Sequence, residues 1–224
     1  MPAPTFPALL ASLGFYPVVP DAQWVEQLLQ WGVRTVQLRF KAVGQGGDDA
    51  AGAHAVAQQV RAAVAAGRAV PGAQVFINDH WRQAMAEGAY GVHLGQEDWA
   101  ALNDAERADL RASGMRLGLS THTPQELAWA RSAGPSYLAI GPVYPTTLKV
   151  MPYEPVGLQR LKLWVPQAGG IPVVAIGGIS LQLMADVLAC GVDGVAVVSA
   201  VTQAQSPQEA ARQGLEICKP AQRP

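Results

Sequence analysis

The sequence predicts a single-domain (β/α)8 barrel over residues 1–224. Three observations predict it. Short, almost continuously apolar runs recur along the chain. Amphipathic Ala/Leu-rich stretches follow most of them. The polar residues able to do chemistry gather just after the runs. Runs apolar on both faces mark parallel strands covered by helical crossovers, and eight such units close into a barrel. Composition agrees. The chain has 224 residues, 50% of them hydrophobic and 15% charged, with a formal net charge of -1. That is ample apolar material for a core, without the basic excess of a nucleic-acid binder. No run approaches the ~18 consecutive apolar residues of a membrane span. The N-terminus carries Pro2, Pro4 and Pro7 and no basic segment, unlike a secretory signal. Cys190 and Cys218 are the two cysteines. They form no disulfide framework, which fits a reducing, cytoplasmic setting.

The elements follow in order. Strands are expected at 16–19, 33–40, 74–78, 90–94, 116–120, 137–143, 172–179 and 194–200. Helices are expected at 24–31, 50–66, 81–87, 124–133, 155–165, 181–189 and 207–217. Pro124 and Pro207 stand where helices begin, with Ser206 as an N-cap. Gly32, Gly88, Gly134 and Gly191 stand where helices end. Residues 1–14 read as an N-terminal extension and 219–224 as a frayed tail. Two connections, 42–53 and 144–155, have no clean period and follow C-terminal strand ends, where barrel active sites form.

The candidate site residues obey the same rule. Gln37, Arg39 and Lys41 alternate at the end of the second strand and so share one face, either the barrel interior or a solvated rim. Asn78 and Asp79 end the third strand, and Asp98 follows the fourth. Two carboxylates from adjacent strand ends can hold Mg²⁺, which takes one or two protein carboxylates plus substrate phosphates. Each carboxylate, taken singly, can also serve as a helix cap. Ser120 and Thr121 end the fifth strand, beside His122. Thr146, Thr147 and Lys149 lie in the second long connection, hydroxyls and a cation suited to an anionic ligand. Gly177 and Gly178 after the seventh strand, with Ser199 after the eighth, fit the common barrel phosphate site, where backbone N–H groups hold the anion. His93, inside the fourth strand, reads as a hydrogen-bonded core histidine. His54 reads as a surface or packing residue, and the tryptophans as packing.

The ordered segments QLRFK, FIND, GVHLGQED, GLSTHT, IGPVYPTTLK, AIGGIS and GVAVVSAV resemble those of the thiamine-phosphate synthase family, over residues 16–201. The resemblance implies a (β/α)8 barrel that couples hydroxymethylpyrimidine pyrophosphate to a thiazole phosphate or its carboxylated form. Thiamine phosphate and pyrophosphate result, with CO2 from the carboxylated acceptor. It implies that Gln37, Arg39, Lys41, Asn78, Ser120 and Lys149 contact the pyrimidine donor, with Leu38 and Phe40 in the same stretch. Asp79 and Asp98 would hold Mg²⁺. Thr146, Thr147, Gly178, Val198 and Ser199 would contact the thiazole phosphate, with Leu148 beside them. Arg39, Lys41, Lys149 and Ser120 would act on the leaving pyrophosphate. The loop departs from the family in one place: the usual PTxTK reads PTTLK here, with Leu148 at the second threonine. One lost hydrogen bond to an anion costs about tenfold. A thiazole tautomerase, a sugar-phosphate isomerase and a non-catalytic ligand-binding barrel are the competing readings. The donor set and the paired carboxylates weigh against the two enzymes, and only Leu148 favours the third.

Overall fold

The computed structural model describes residues 5–42, 50–146 and 154–219. In chain order it contains β1 (Gly14–Val19), α1 (Ala22–Gln30), β2 (Thr35–Leu38), α2 (Ala50–Arg68), β3 (Gln74–Asn78), α3 (Trp81–Ala86), β4 (Gly91–Leu94), α4 (Gln96–Ala101), α5 (Asp104–Ala112), β5 (Arg116–Thr121), α6 (Pro124–Ser132), β6 (Tyr137–Ile140), α7 (Gly157–Trp164), β7 (Val173–Ile176), α8 (Met184–Leu188), β8 (Gly194–Val197), α9 (Ser199–Thr202) and α10 (Pro207–Ile217). The strands pair in sequence order, all parallel, and β8 returns to β1 to close the barrel.

The apolar runs are buried on both faces because the wall separates two cores. The outer core lies between strands and helices and includes Val36, Leu38, Val75, Ile77, Val92, Leu94, Leu117 and Leu119. The inner core holds Tyr16, Val18, Phe76, Tyr137, Ala139, Val174 and Ala196. An eight-stranded barrel is just wide enough for its interior to be filled by side chains. Large rings fit here because their neighbours are small. A Cβ on Gly118 would sit 2.2 Å from the Tyr137 ring, and one on Gly91 would sit 2.6 Å from the Phe76 ring. Tyr16, Phe76 and Tyr137 then meet at centroid separations of 5.1–6.0 Å. Full burial of a ring of this size contributes about 1.5–3 kcal/mol.

The structure shortens several expected strands. β2 stops at Leu38 rather than residue 40. β6 stops at Ile140, two residues before Pro142, which lacks a backbone N–H to donate. β7 stops at Ile176, before Gly177 and Gly178, whose φ values of 100° and 67° turn the chain away. β8 stops at Val197, and Ser199 opens α9 instead of extending the strand. Between β4 and β5 lie two helices, α4 and α5, where no helix was expected. The signal for α5 was in the sequence: Asn103 with Glu106 three residues on. The Asn103 side chain accepts from Glu106 N at 3.0 Å and Glu106 accepts from Asn103 N at 2.9 Å, a reciprocal cap. Ser206 precedes α10 as expected but makes no side-chain capping bond. The glycines expected to close helices, Gly32, Gly88, Gly134 and Gly191, all have positive φ. Residues 5–13 are not a loose extension. They cross the N-terminal end of the barrel, bonding to β3 and β5 and to residues just before β4, β6 and β8.

Candidate active site

Strand alternation decides which expected residues reach the barrel mouth. Gln37 lies inside the barrel, buried, and its Nε2 donates to Tyr16 Oη at 3.1 Å. Arg39, two residues on, is half-buried beyond the strand end, and Lys41 is exposed. The intervening residues face the other way. Leu38 is buried in the outer core, and Phe40 packs against it. As expected ligand contacts, these two would act through the backbone rather than the side chain. The Phe40 carbonyl already has a partner, accepting from the His80 ring at 3.2 Å.

Asp79 follows β3 with φ 62°, a left-handed conformation rare for a residue with a side chain. Such strain clusters at functional sites. Asp79 is not a helix cap: His80 occupies the cap position of α3. Asp79 lies at the rim, yet its neighbours partly desolvate its carboxyl. That desolvation and the nearby charge of Asp98 raise its pKa above the ordinary carboxylate value, while Arg39, His80 and a hydrogen bond from Asn78 oppose the rise. Asp98 is exposed in the first turn of α4, where one oxygen accepts from Gly95 N at 3.3 Å. For Asp98 the helix-capping reading and the ligand reading both stand, since a carboxylate has two oxygens. Two carboxylates that repel one another at an open mouth, with few protein donors between them, fit a hard divalent cation completed by ligand oxygens. Among the described residues no group of three or more His, Cys, Asp or Glu could hold a metal by itself.

Ser120 is half-buried on β5, at the same end, and its carbonyl accepts a hydrogen bond from Gln96. Its hydroxyl lies 2.8 Å from His93 Nε2. His93 is buried and fully partnered, its Nδ1 being 2.8 Å from Tyr137 Oη. Burial first, and Arg39 second, lower its pKa from the ordinary 6.5 to about 4, so the ring is neutral near pH 7. The reading of His93 as a satisfied core histidine stands; its bond to Ser120 was missed. The signal was the period of two, since Tyr16, Gln37, His93, Ser120 and Tyr137 all occupy inward positions.

The other half of the mouth is built from backbone. A Cβ on Gly177 would come within 2.6 Å of Pro142, and one on Gly178 within 2.5 Å of the Pro145 carbonyl. Only glycine lets these segments meet while keeping positive φ. Tyr144 N donates to Gly177 O at 3.0 Å, tying the segment after β6 to the turn after β7. Gly178 is exposed, Val198 packs against the inner core, and Ser199 is exposed at the start of α9. Thr146 is half-buried. Thr147, Leu148 and Lys149 lie outside the described residues.

A closed parallel barrel with charged and hydroxyl side chains beyond its C-terminal strand ends is the architecture of a (β/α)8-barrel enzyme. The family model for thiamine monophosphate synthase matches residues 16–201. The chain is 50% identical, over 91% of its length and 94% of the relative's, to a thiamine-phosphate synthase of Neisseria meningitidis serogroup A. It is 47% identical to one of Citrobacter koseri, over 96% of both chains. A solved thiamine phosphate pyrophosphorylase from Pyrococcus furiosus superimposes with a TM-score of 0.76 at 30% identity, over 93% of this chain and 96% of that one. The chain belongs to the thiamine monophosphate synthase family, and it is an enzyme of the transferase class.

Proposed function

We propose that the chain makes thiamine phosphate by coupling hydroxymethylpyrimidine pyrophosphate to a thiazole phosphate in a Mg²⁺-dependent reaction. The bond between the pyrimidine methylene carbon and the pyrophosphate oxygen breaks, and its electron pair leaves with pyrophosphate. The thiazole nitrogen then gives its lone pair to that carbon. No general base is needed. The aminopyrimidine ring can carry the transient positive charge, so the chain's task is to stabilise the departing anion.

Asp79 and Asp98 would hold the cation, which when bound neutralises pyrophosphate charge. Arg39 grips pyrophosphate oxygens with its planar fork, while Lys41 and Lys149 add point charges. Gln37 and Asn78 orient the pyrimidine, and Ser120 offers its hydroxyl to the same substrate. Gly178, Val198, Ser199, Thr146 and Thr147 receive the thiazole phosphate, with the backbone after β7 as the cradle.

The observation that carries this reading is the strained Asp79, set against Asp98 with Arg39 beside it. The test is direct. Purified protein is given both heterocycles, with Mg²⁺ and then with a chelator. Thiamine phosphate should form only with Mg²⁺. Formation unaffected by the chelator would remove the metal assignment, and no product at all would remove the function.

A further inference from the structure

A thread of hydrogen bonds crosses the barrel interior. Gln37 Nε2 donates to Tyr16 Oη at 3.1 Å, and Tyr16 Oη lies 2.9 Å from Tyr137 Oη. Tyr137 Oη lies 2.8 Å from His93 Nδ1, and His93 Nε2 lies 2.8 Å from Ser120 Oγ. Its members come from five strands: β1, β2, β4, β5 and β6. All but Ser120 are buried.

Counting protons gives the thread a direction. Each hydroxyl has one proton, and a neutral imidazole has one N–H. Tyr16 already accepts from Gln37, so its own proton must go to Tyr137. If it did not, a buried donor would be left without a partner, at a cost avoided in folded cores. Tyr137 then gives its proton to Nδ1 of His93. The ring proton is left on Nε2, where it points at Ser120 Oγ. Ser120 therefore accepts from the histidine, and its own proton is free to turn toward the mouth. The serine backbone is pinned as well, through the bond from Gln96 to its carbonyl. The His93 carbonyl accepts from Asp79 N at 3.0 Å, which fixes the strand carrying the ring.

We infer that His93 is a positioning residue: held in one tautomer by Tyr137, it fixes Ser120 as a hydrogen-bond donor toward the pyrimidine pyrophosphate. Gln37 and Ser120, at opposite ends of the thread, are thereby coupled through the barrel core. The inference rests on the placement of Ser120 against substrate proposed above.

Two measurements test it. The first needs no substrate. Nitrogen-15 chemical shifts of the ring, assigned by the signals lost in His93→Gln, should show Nε2 protonated and Nδ1 bare. The reverse tautomer, or a charged ring near pH 7, overturns the inference, because Ser120 would then be turned or held differently. The second is kinetic. His93→Leu should lower kcat/KM for the pyrimidine pyrophosphate about 10–100-fold while leaving the KM for the thiazole phosphate in place. His93→Gln keeps a donor for Ser120 and should recover to within a few-fold of wild type. In a Ser120→Ala background, His93→Leu should add little. Equal losses in the two His93 variants, or losses that multiply with Ser120→Ala, overturn the inference. If wild-type protein makes no thiamine phosphate, the functional reading fails, and the tautomer measurement alone decides this one. It decides equally if His93→Leu does not fold.

Discussion

The two ends of the barrel treat their polar groups in opposite ways. At the N-terminal end, residues 5–13 lie across the opening and hydrogen-bond to the barrel at several points. Phe6 N donates to Gly134 O, Ser136 Oγ donates to Pro7 O, and Arg116 Nε donates to Ala8 O. Tyr90 Oη accepts from Leu10 N at 3.0 Å and donates to Gln74 Oε1 at 2.6 Å. Phe6 is buried edge-on against Trp99 at 6.1 Å, under the Arg111 guanidinium. At the C-terminal end, Asp79 holds a left-handed backbone, two carboxylates repel, and Arg39 stands beside them. The first end is organised for stability. The second keeps a strained backbone and two like charges near one another, as expected where function and stability compete.

That contrast can be broken by substitution. The largest expected effect is at the mouth. Asp79→Gly should cut thiamine phosphate formation about 10²–10³-fold, while calorimetry should show a melting temperature unchanged or raised, since the repulsion and the Cβ strain at φ 62° are both removed. A protein that loses stability but keeps turnover would mean that the two ends are not divided in this way.

Next is Phe6→Ala, which should destabilise by about 3–5 kcal/mol in denaturant titration. Its kcat should be unchanged, because the strap lies at the far end from the mouth. A drop in kcat without a drop in stability would place function at both ends.

The third prediction concerns pH. The folded-state pKa of His93 is near 4, against 6.5 for the free side chain. Below 6.5 the unfolded chain takes a proton on this ring and the folded chain does not. Stability should therefore fall as pH drops from 6.5 to 4, by at most about 3 kcal/mol, and this contribution should level off below that. His93→Gln should flatten that part of the stability-against-pH curve; an unchanged slope would assign it to other groups.

The smallest effect is at Tyr90. Tyr90→Phe deletes the hydroxyl shared by Leu10 and Gln74 and should cost about 1 kcal/mol, with turnover untouched. A tenfold loss of activity would show that the strap communicates with the mouth.

Much of this was legible along the chain, and the reasons are local. Apolar runs located all eight strands because parallel strands are buried on both faces. The alternation of Gln37, Arg39 and Lys41 placed them on one face, although that face runs from buried to exposed within five residues. Strand ends were read two or three residues too long at β2, β6, β7 and β8. Residues such as Phe40, Val143, Ile179 and Ala200 are apolar, but they pack beyond the ladder rather than within it. Along the chain the strap reads only as part of an N-terminal extension, because nothing in residues 5–13 has a period. Its partners lie between 63 and 181 residues away.

The sequence by itself determined the barrel, the end at which chemistry collects and the residue types present there. Those follow from periodicity and from the position of polar residues after apolar runs, which are properties of short segments. Only the tertiary structure decided that Asp79 feels the charge of Asp98, that Leu38 and Phe40 turn outward, and that His93 bonds Ser120 in a thread from five strands. These are facts about which side chains a closed barrel brings within reach, and closure is a property of the whole chain.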